Sequence, residues 1–164
     1  MDLATRFDRV ERLLRSPVRP SWPEVGSLLG LPDDRWREHE PADALASLRS
    51  SWQSSAIDWT GVSALWLGIE SDGVASFLDP VGYSTLDDTG FPHGTVWHAD
   101  RLQSEDLTAF ATYYGGEARF DGYDYWAPLA WIGLFVRLLA PAPADVTVLA
   151  GFSGGDWFTF PSTA

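Results

Sequence analysis

Residues 63–78, SALWLGIESDGVASFL, are the clearest indication of β-structure in this chain. Apolar residues fill both halves of this stretch, and Ser71-Asp72-Gly73 separates them. An Asp-Gly pair between two such runs is a strong signal for a two-stranded hairpin. The stretch therefore predicts two adjacent strands, at the point where the chain changes from helical to extended periodicity.

The segment before this hairpin predicts helices. Residues 2–15 carry apolar side chains at helical spacing. Residues 21–24, Ser-Trp-Pro-Glu, have the form of a capping box and predict the start of a short helix that ends at Gly30. Two further helices are expected to begin at Pro32 and at Pro41.

The segment after the hairpin mixes loops, helices and strands. Residues 80–100 are rich in Gly, Pro, Asp and Thr and predict a long loop with at most one short strand near Val96-Trp97. Residues 104–114 predict a helix. An apolar helix should follow, from a cap at Asp124 to about Leu139.

The chain should end in two strands, residues 146–151 and 156–160, around a glycine-rich turn. Together these elements predict one domain over residues 1–164 and an α+β fold. In that fold N-terminal helices precede a mainly antiparallel sheet of at least four strands, which packs on a central apolar helix.

Composition excludes several kinds of chemistry. The 164 residues include no cysteine and no lysine. Thiolate nucleophiles, disulfides and iron–sulfur clusters are therefore excluded, as are a phosphate-binding lysine and a Schiff base to pyridoxal phosphate. We expect no cofactor.

Negative charge is concentrated in the later part of the chain. The net charge is −12; residues 1–49 carry eight Arg and nine acids, whereas residues 50–164 carry three Arg and fourteen acids, a net −11. Such a field repels nucleic acid and anionic lipid and attracts a basic partner, although it can also serve solubility alone. With no apolar leader at Met1, we expect a cytoplasmic, monomeric protein.

Ser153 raises the question of catalysis. It lies in Gly-Phe-Ser-Gly-Gly, residues 151–155, which fits the G-x-S-x-G pattern of serine hydrolases. A triad could use His93 or His98 as base and Asp121 or Asp124 as acid. A tight turn between two strands explains the glycines better, so we expect no catalytic residue and keep a small serine hydrolase as the alternative.

One short segment carries candidate metal ligands. His98-Ala99-Asp100, with His93 nearby, could offer ligands to a metal ion. The sequence lacks the spacing of a calcium loop or of a zinc-binding helix, so we expect a solvated loop and no metal.

Acidic and aromatic residues cluster in the two segments that flank the predicted helix at 104–114. Aromatic anchors surrounded by carboxylates suit recognition of a basic protein surface. The residues expected to bind the partner are Asp87, Asp88, Trp97, Asp100, Glu105, Asp106, Asp121, Tyr123, Asp124 and Tyr125.

Residues 22–36, WPEVGSLLGLPDDRW, resemble the opening of SUKH-type proteins, a superfamily that contains many bacterial toxin-immunity proteins. Later segments also look like pieces of small bacterial immunity-type proteins. The resemblance implies a non-catalytic protein that binds and blocks a cognate toxin. A further possibility is a small-molecule pocket between the sheet and the apolar helix.

Overall fold

The computed structural model describes residues 3–18, 20–30, 41–71, 76–103, 123–139, 141–152 and 157–160. Within these residues the structure has four helices and six strands. They are, in chain order, α1 (Leu3–Leu14), α2 (Trp22–Leu29), α3 (Pro41–Ser54), β1 (Ala64–Ser71), β2 (Ser76–Leu86), β3 (Pro92–His98), β4 (Leu102–Gln103), α4 (Tyr123–Leu139), β5 (Thr147–Phe152) and β6 (Trp157–Phe160).

The strands form one sheet in the order β3-β2-β1-β5-β6, and the short β4 also pairs with β2. All described pairings are antiparallel except that of β1 with β5, which is parallel. The chain between β1 and β5 includes α4, as a parallel pair requires a long crossover connection. The predicted α+β class and mainly antiparallel sheet are confirmed.

Capping residues set the limits of α2 as the sequence predicts. The Ser21 hydroxyl accepts a hydrogen bond from the Glu24 backbone N–H, and the Glu24 carboxylate accepts one from the Ser21 N–H at 2.8 Å. Gly30 ends the helix in the left-handed conformation, with φ 76°, which glycine adopts at little cost. Local capping interactions therefore set both ends of this helix.

The core lies between one face of the sheet and the helices. Leu65, Leu67, Val148 and Phe158 are buried on this inner face, together with the stacked rings of α4. Helix α4 contacts α1, α2 and α3 as well as β5 and β6, which explains why it is apolar on all sides. No described helix combines the length and the hydropathy needed to cross a membrane.

The prediction of a long loop over residues 80–100 is wrong. Strand β2 continues to Leu86, and after a turn β3 runs back beside it, so that two long strands replace the expected loop. In the sequence Pro80 favours a loop, because proline disrupts strand pairing. Its carbonyl faces the β3–β4 side of β2, where it accepts a hydrogen bond from Ala99 N at 3.1 Å.

Pro80 therefore lies at the gap between β3 and β4. Neither of these strands pairs with Pro80 on that side of β2, so the backbone N–H that proline lacks is not needed there. A second boundary also differs from the prediction. The described part of α4 begins at Tyr123, so Asp124 lies within its first turn and does not occupy the cap position.

Candidate functional site

The predicted partner-binding residues that the structure describes fall into two groups. Asp87 and Asp88 lie in the turn between β2 and β3, whereas Trp97 and Asp100 lie at the other end of β3. A strand of this length spans roughly 20 Å. The structure therefore brings these residues to two separate surfaces and not to one patch.

At the turn, Asp87 organises the backbone. Its Oδ1 accepts hydrogen bonds from the backbone N–H groups of Thr89 at 2.8 Å and Phe91 at 2.9 Å, and from the Thr89 hydroxyl at 2.6 Å. Its Oδ2 lies 3.0 Å from His93 Nε2. The pKa of Asp87 lies far below its usual range, because the carboxylate is hydrogen-bonded to the Thr89 hydroxyl, to His93 and to the Phe91 N–H.

Phe91 is displayed by this turn. Its side chain is 49% exposed, which is unusual for a large aromatic residue. Its ring centroid lies 5.4 Å from that of His93 and 6.0 Å from that of Trp157, and Trp157 is in turn 5.9 Å from Trp66. We call Trp66, Asp87, Phe91, His93 and Trp157 the tip cluster.

The tip cluster lies on the outer face of the sheet, away from the helices. Gly68 pairs with Gly151, and Gly151 pairs with Trp157. Because the two glycines carry no side chains, the indoles of Trp66 and Trp157 can approach each other over them.

Residues from opposite edges of the sheet meet in the tip cluster. Phe91 adjoins β3 at one edge, and Trp157 belongs to β6 at the other. The β2–β3 hairpin must therefore fold back across the outer face. A register shift at Gly82/Tyr83 leaves Val96 as an extra residue in β3, and such a bulge bends and twists a hairpin.

The second surface is a groove between the α3–β1 loop and the end of β3. It has a volume of about 400 Å³. We call it the loop groove; it is lined by Ser55, Ala56, Ile57, Asp58, Trp97, His98, Ala99 and Asp100.

Trp97 joins the walls of the loop groove and has a clear packing role. Its Nε1 donates a hydrogen bond to the carbonyl of Asp58 at 3.0 Å, and its ring meets that of Trp59 edge-on at 5.6 Å. Trp59 in turn contacts Trp52, whose Nε1 donates to the Pro141 carbonyl at 2.8 Å. Trp97 is thus half-buried in a tryptophan chain that leads into the core.

For the remaining predicted site residues the structure describes no side-chain positions. Glu105, Asp106, Asp121 and Ser153 lie outside the described residues, and so do the side chains of Tyr123, Asp124 and Tyr125. The described residues contain no group of three or more His, Asp or Glu side chains that could hold a metal ion.

The two candidate catalytic histidines lie apart. His93 pairs with Asp87 in the tip cluster, an acid other than Asp121 and Asp124, the two that the sequence offers for a triad. His98 lies at the other end of β3, on the loop groove.

Comparison with known proteins gives no relative: no family model, no curated protein and no solved structure matches this chain. The two surfaces are therefore the features of the described residues that indicate a function. Sequence reasoning missed Phe91 and Asp58. The run Asp87-Asp88-Thr89-Gly90 before Phe91 was an available signal, because aspartate followed by Thr and Gly is typical of a tight turn.

Proposed function

We propose that this chain is a non-catalytic, immunity-type interaction protein that binds a basic face of a partner and blocks it. One observation carries the proposal: the turn fixed by Asp87 holds Phe91 half-exposed on an aromatic cluster, with the acidic Asp88 beside it. Exposed aromatic residues held in a fixed position are the usual anchors of protein interfaces.

The rigidity of the turn favours binding. Association costs free energy for each side chain or loop that becomes ordered, and a loop already held by its own hydrogen bonds avoids part of that cost. Four contacts to Asp87 hold this turn before any partner arrives. Phe91 can therefore enter an apolar pocket on the partner without reorganisation of the backbone.

Charge supports the same proposal. The chain has a net charge of −12, most of it after residue 49. A field of this sign speeds encounter with a basic protein and disfavours acidic ones. In this proposal the field selects the partner, and Phe91 supplies the apolar contact that keeps the complex together.

The product of the neighbouring gene is the partner to test. The two proteins should co-purify, and the wild-type chain should rescue cells from that product if it is toxic. Phe91→Ala should weaken binding about 30-fold, or about 2 kcal/mol, as truncation of an anchor does. Val18→Ala is the control, because Val18 is 77% exposed and lies far along the chain from the hairpin.

Two results would contradict the proposal. One is the absence of both co-purification and rescue with the wild-type chain. The other is an equal loss of affinity in Phe91→Ala and Val18→Ala.

A serine hydrolase is the second candidate function, and one observation favours it. His93 already has an acid partner, Asp87, at 3.0 Å, and its neighbour Phe91 contacts Trp157, the first residue of β6. Ser153 precedes β6 in the chain by four residues. Labelling by a fluorophosphonate that Ser153→Ala abolishes would support hydrolysis, and an unlabelled wild-type protein would exclude a reactive serine of this kind.

A further inference from the structure

The loop groove has walls that are fixed before any ligand binds. The hydrogen bond from Trp97 Nε1 to the Asp58 carbonyl connects β3 with the α3–β1 loop. The Asp58 carboxylate accepts from Thr60 N at 2.9 Å, and Ala99 N donates to the Pro80 carbonyl at 3.1 Å. Both sides of the groove are therefore tied to the sheet or to their own loop.

Two acidic residues, Asp58 and Asp100, are among those that line the loop groove, and neither has a described cation to neutralise it. Within the described residues, neither Asp58 nor Asp100 forms an ion pair. The nearest arginine in sequence, Arg101, points elsewhere. Its guanidinium carbon lies 4.1 Å from the centroid of the Phe77 ring, and its Nε lies 3.8 Å from Asp79.

Apolar and aromatic groups complete the groove. Ile57 and Ala99 are partly buried and pack on the hydrophobic core, as does Trp97. The groove thus combines an apolar lining with two acidic residues. A volume of about 400 Å³ is near the lower end of ligand pockets, which range from about 300 to 1,000 Å³.

We infer that the loop groove receives one arginine side chain of a protein partner, with its stem along Ile57 and Trp97 and its guanidinium near Asp58 and Asp100. This deepens the proposed function, on which it rests, by naming a second contact with the basic partner. Arginine fits better than lysine, because a planar guanidinium bonds carboxylates through two donors and stacks well on aromatic rings.

The probe is a blocked arginine, Nα-acetyl-arginine methylamide, titrated into the full chain. Chemical shifts of the Trp97 indole N–H and of the Ala99 amide report binding at the groove. We expect saturation with a Kd on the order of 1 mM. The matching citrulline derivative, which has the same shape and no charge, should bind at least tenfold more weakly.

Charge-neutral variants locate the site. Asp58→Asn and Asp100→Asn keep the side-chain shape, and each should weaken binding about fivefold or more, as expected when a charge-assisted hydrogen bond is lost. Asp145→Asn is the matched control. It removes one exposed negative charge from the α4–β5 connection and should leave the Kd unchanged.

Several results would overturn this inference. They are equal binding of arginine and citrulline derivatives, an equal effect of Asp145→Asn, or no saturation. Tighter binding of free arginine than of the blocked residue would also overturn it, because the groove would then be a small-molecule site. Phe91→Ala should not change binding of the probe, so failure of the groove and failure of the tip cluster can be distinguished.

Discussion

Replacing Gly82 by alanine should loosen the contact between β2 and Trp97. A Cβ atom at position 82 would lie 2.5 Å, 2.8 Å and 2.9 Å from three carbons of the Trp97 indole. Carbon atoms in contact prefer separations of about 3.5–4.0 Å. The ring must therefore retreat by roughly 1 Å, away from the position in which it donates to the Asp58 carbonyl.

The size of the effect follows from these contacts. Overpacking of this kind costs about 1–3 kcal/mol, and loss of the Trp97–Asp58 hydrogen bond contributes about 1 kcal/mol of that. Alanine has less conformational entropy than glycine in the unfolded chain, and this offsets about 0.5–1 kcal/mol of the loss in the free energy of unfolding. The net loss should be about 1–2 kcal/mol, or about 2–8 °C in Tm for a protein of this length.

Thermal unfolding followed by circular dichroism measures this loss. A double-mutant cycle with Trp97→Leu tests its cause: in that background Gly82→Ala should cost less, with a coupling free energy of about 1 kcal/mol. The Trp97 indole N–H resonance should also shift in Gly82→Ala. An unchanged Tm, or the same loss in both backgrounds, would refute the contact argument.

Three further predictions concern local structure. Because the pKa of Asp87 is lowered in the folded state, this residue should stabilise the turn fully above about pH 5 and progressively less as the pH falls through the unfolded pKa of about 3.9 toward the folded one. Between pH 6 and 3, the Tm should therefore depend less on pH in Asp87→Asn than in the Asp88→Asn control. Equal slopes of Tm against pH in the two variants would contradict this. Ser21→Ala removes the cap of α2 and should lower stability by about 1 kcal/mol in denaturant unfolding, whereas an unchanged midpoint would exclude the cap as a stabilising element. Gly61→Ala meets no atom within 4 Å but has φ +75°, so it should cost about 1–2 kcal/mol through backbone strain, and a neutral result would show that the loop adapts.

The sequence predicts those elements whose ends are set by residues within or next to them in the chain. The capping box at Ser21 and the left-handed Gly30 define α2 within eight residues, so no distant contact is needed to recognise it. The apolar run of β1 and the closing pair of strands are equally visible in the sequence. The four-residue spacing of buried groups in α3, Leu48 and Trp52, was also readable, because one helix face repeats at this interval.

The features that the sequence does not predict depend on contacts between residues far apart in the chain. Pro80 and the glycines suggested a loop, and only the gap between β3 and β4 shows how a strand tolerates the proline. The loop groove depends on a hydrogen bond between Trp97 and Asp58, residues 39 positions apart. The tip cluster depends on folding of the hairpin across the sheet, which no local pattern encodes.

In the proposed function the tip cluster binds a basic partner through Phe91. Titration calorimetry with the product of the neighbouring gene measures this binding, with wild type, Phe91→Ala and Val18→Ala compared at low and high salt. We expect a Kd about 30-fold weaker for Phe91→Ala at both salt concentrations, a wild-type value for Val18→Ala, and weaker binding of all three at high salt. Wild-type affinity in Phe91→Ala, or affinity that salt does not change, would contradict it.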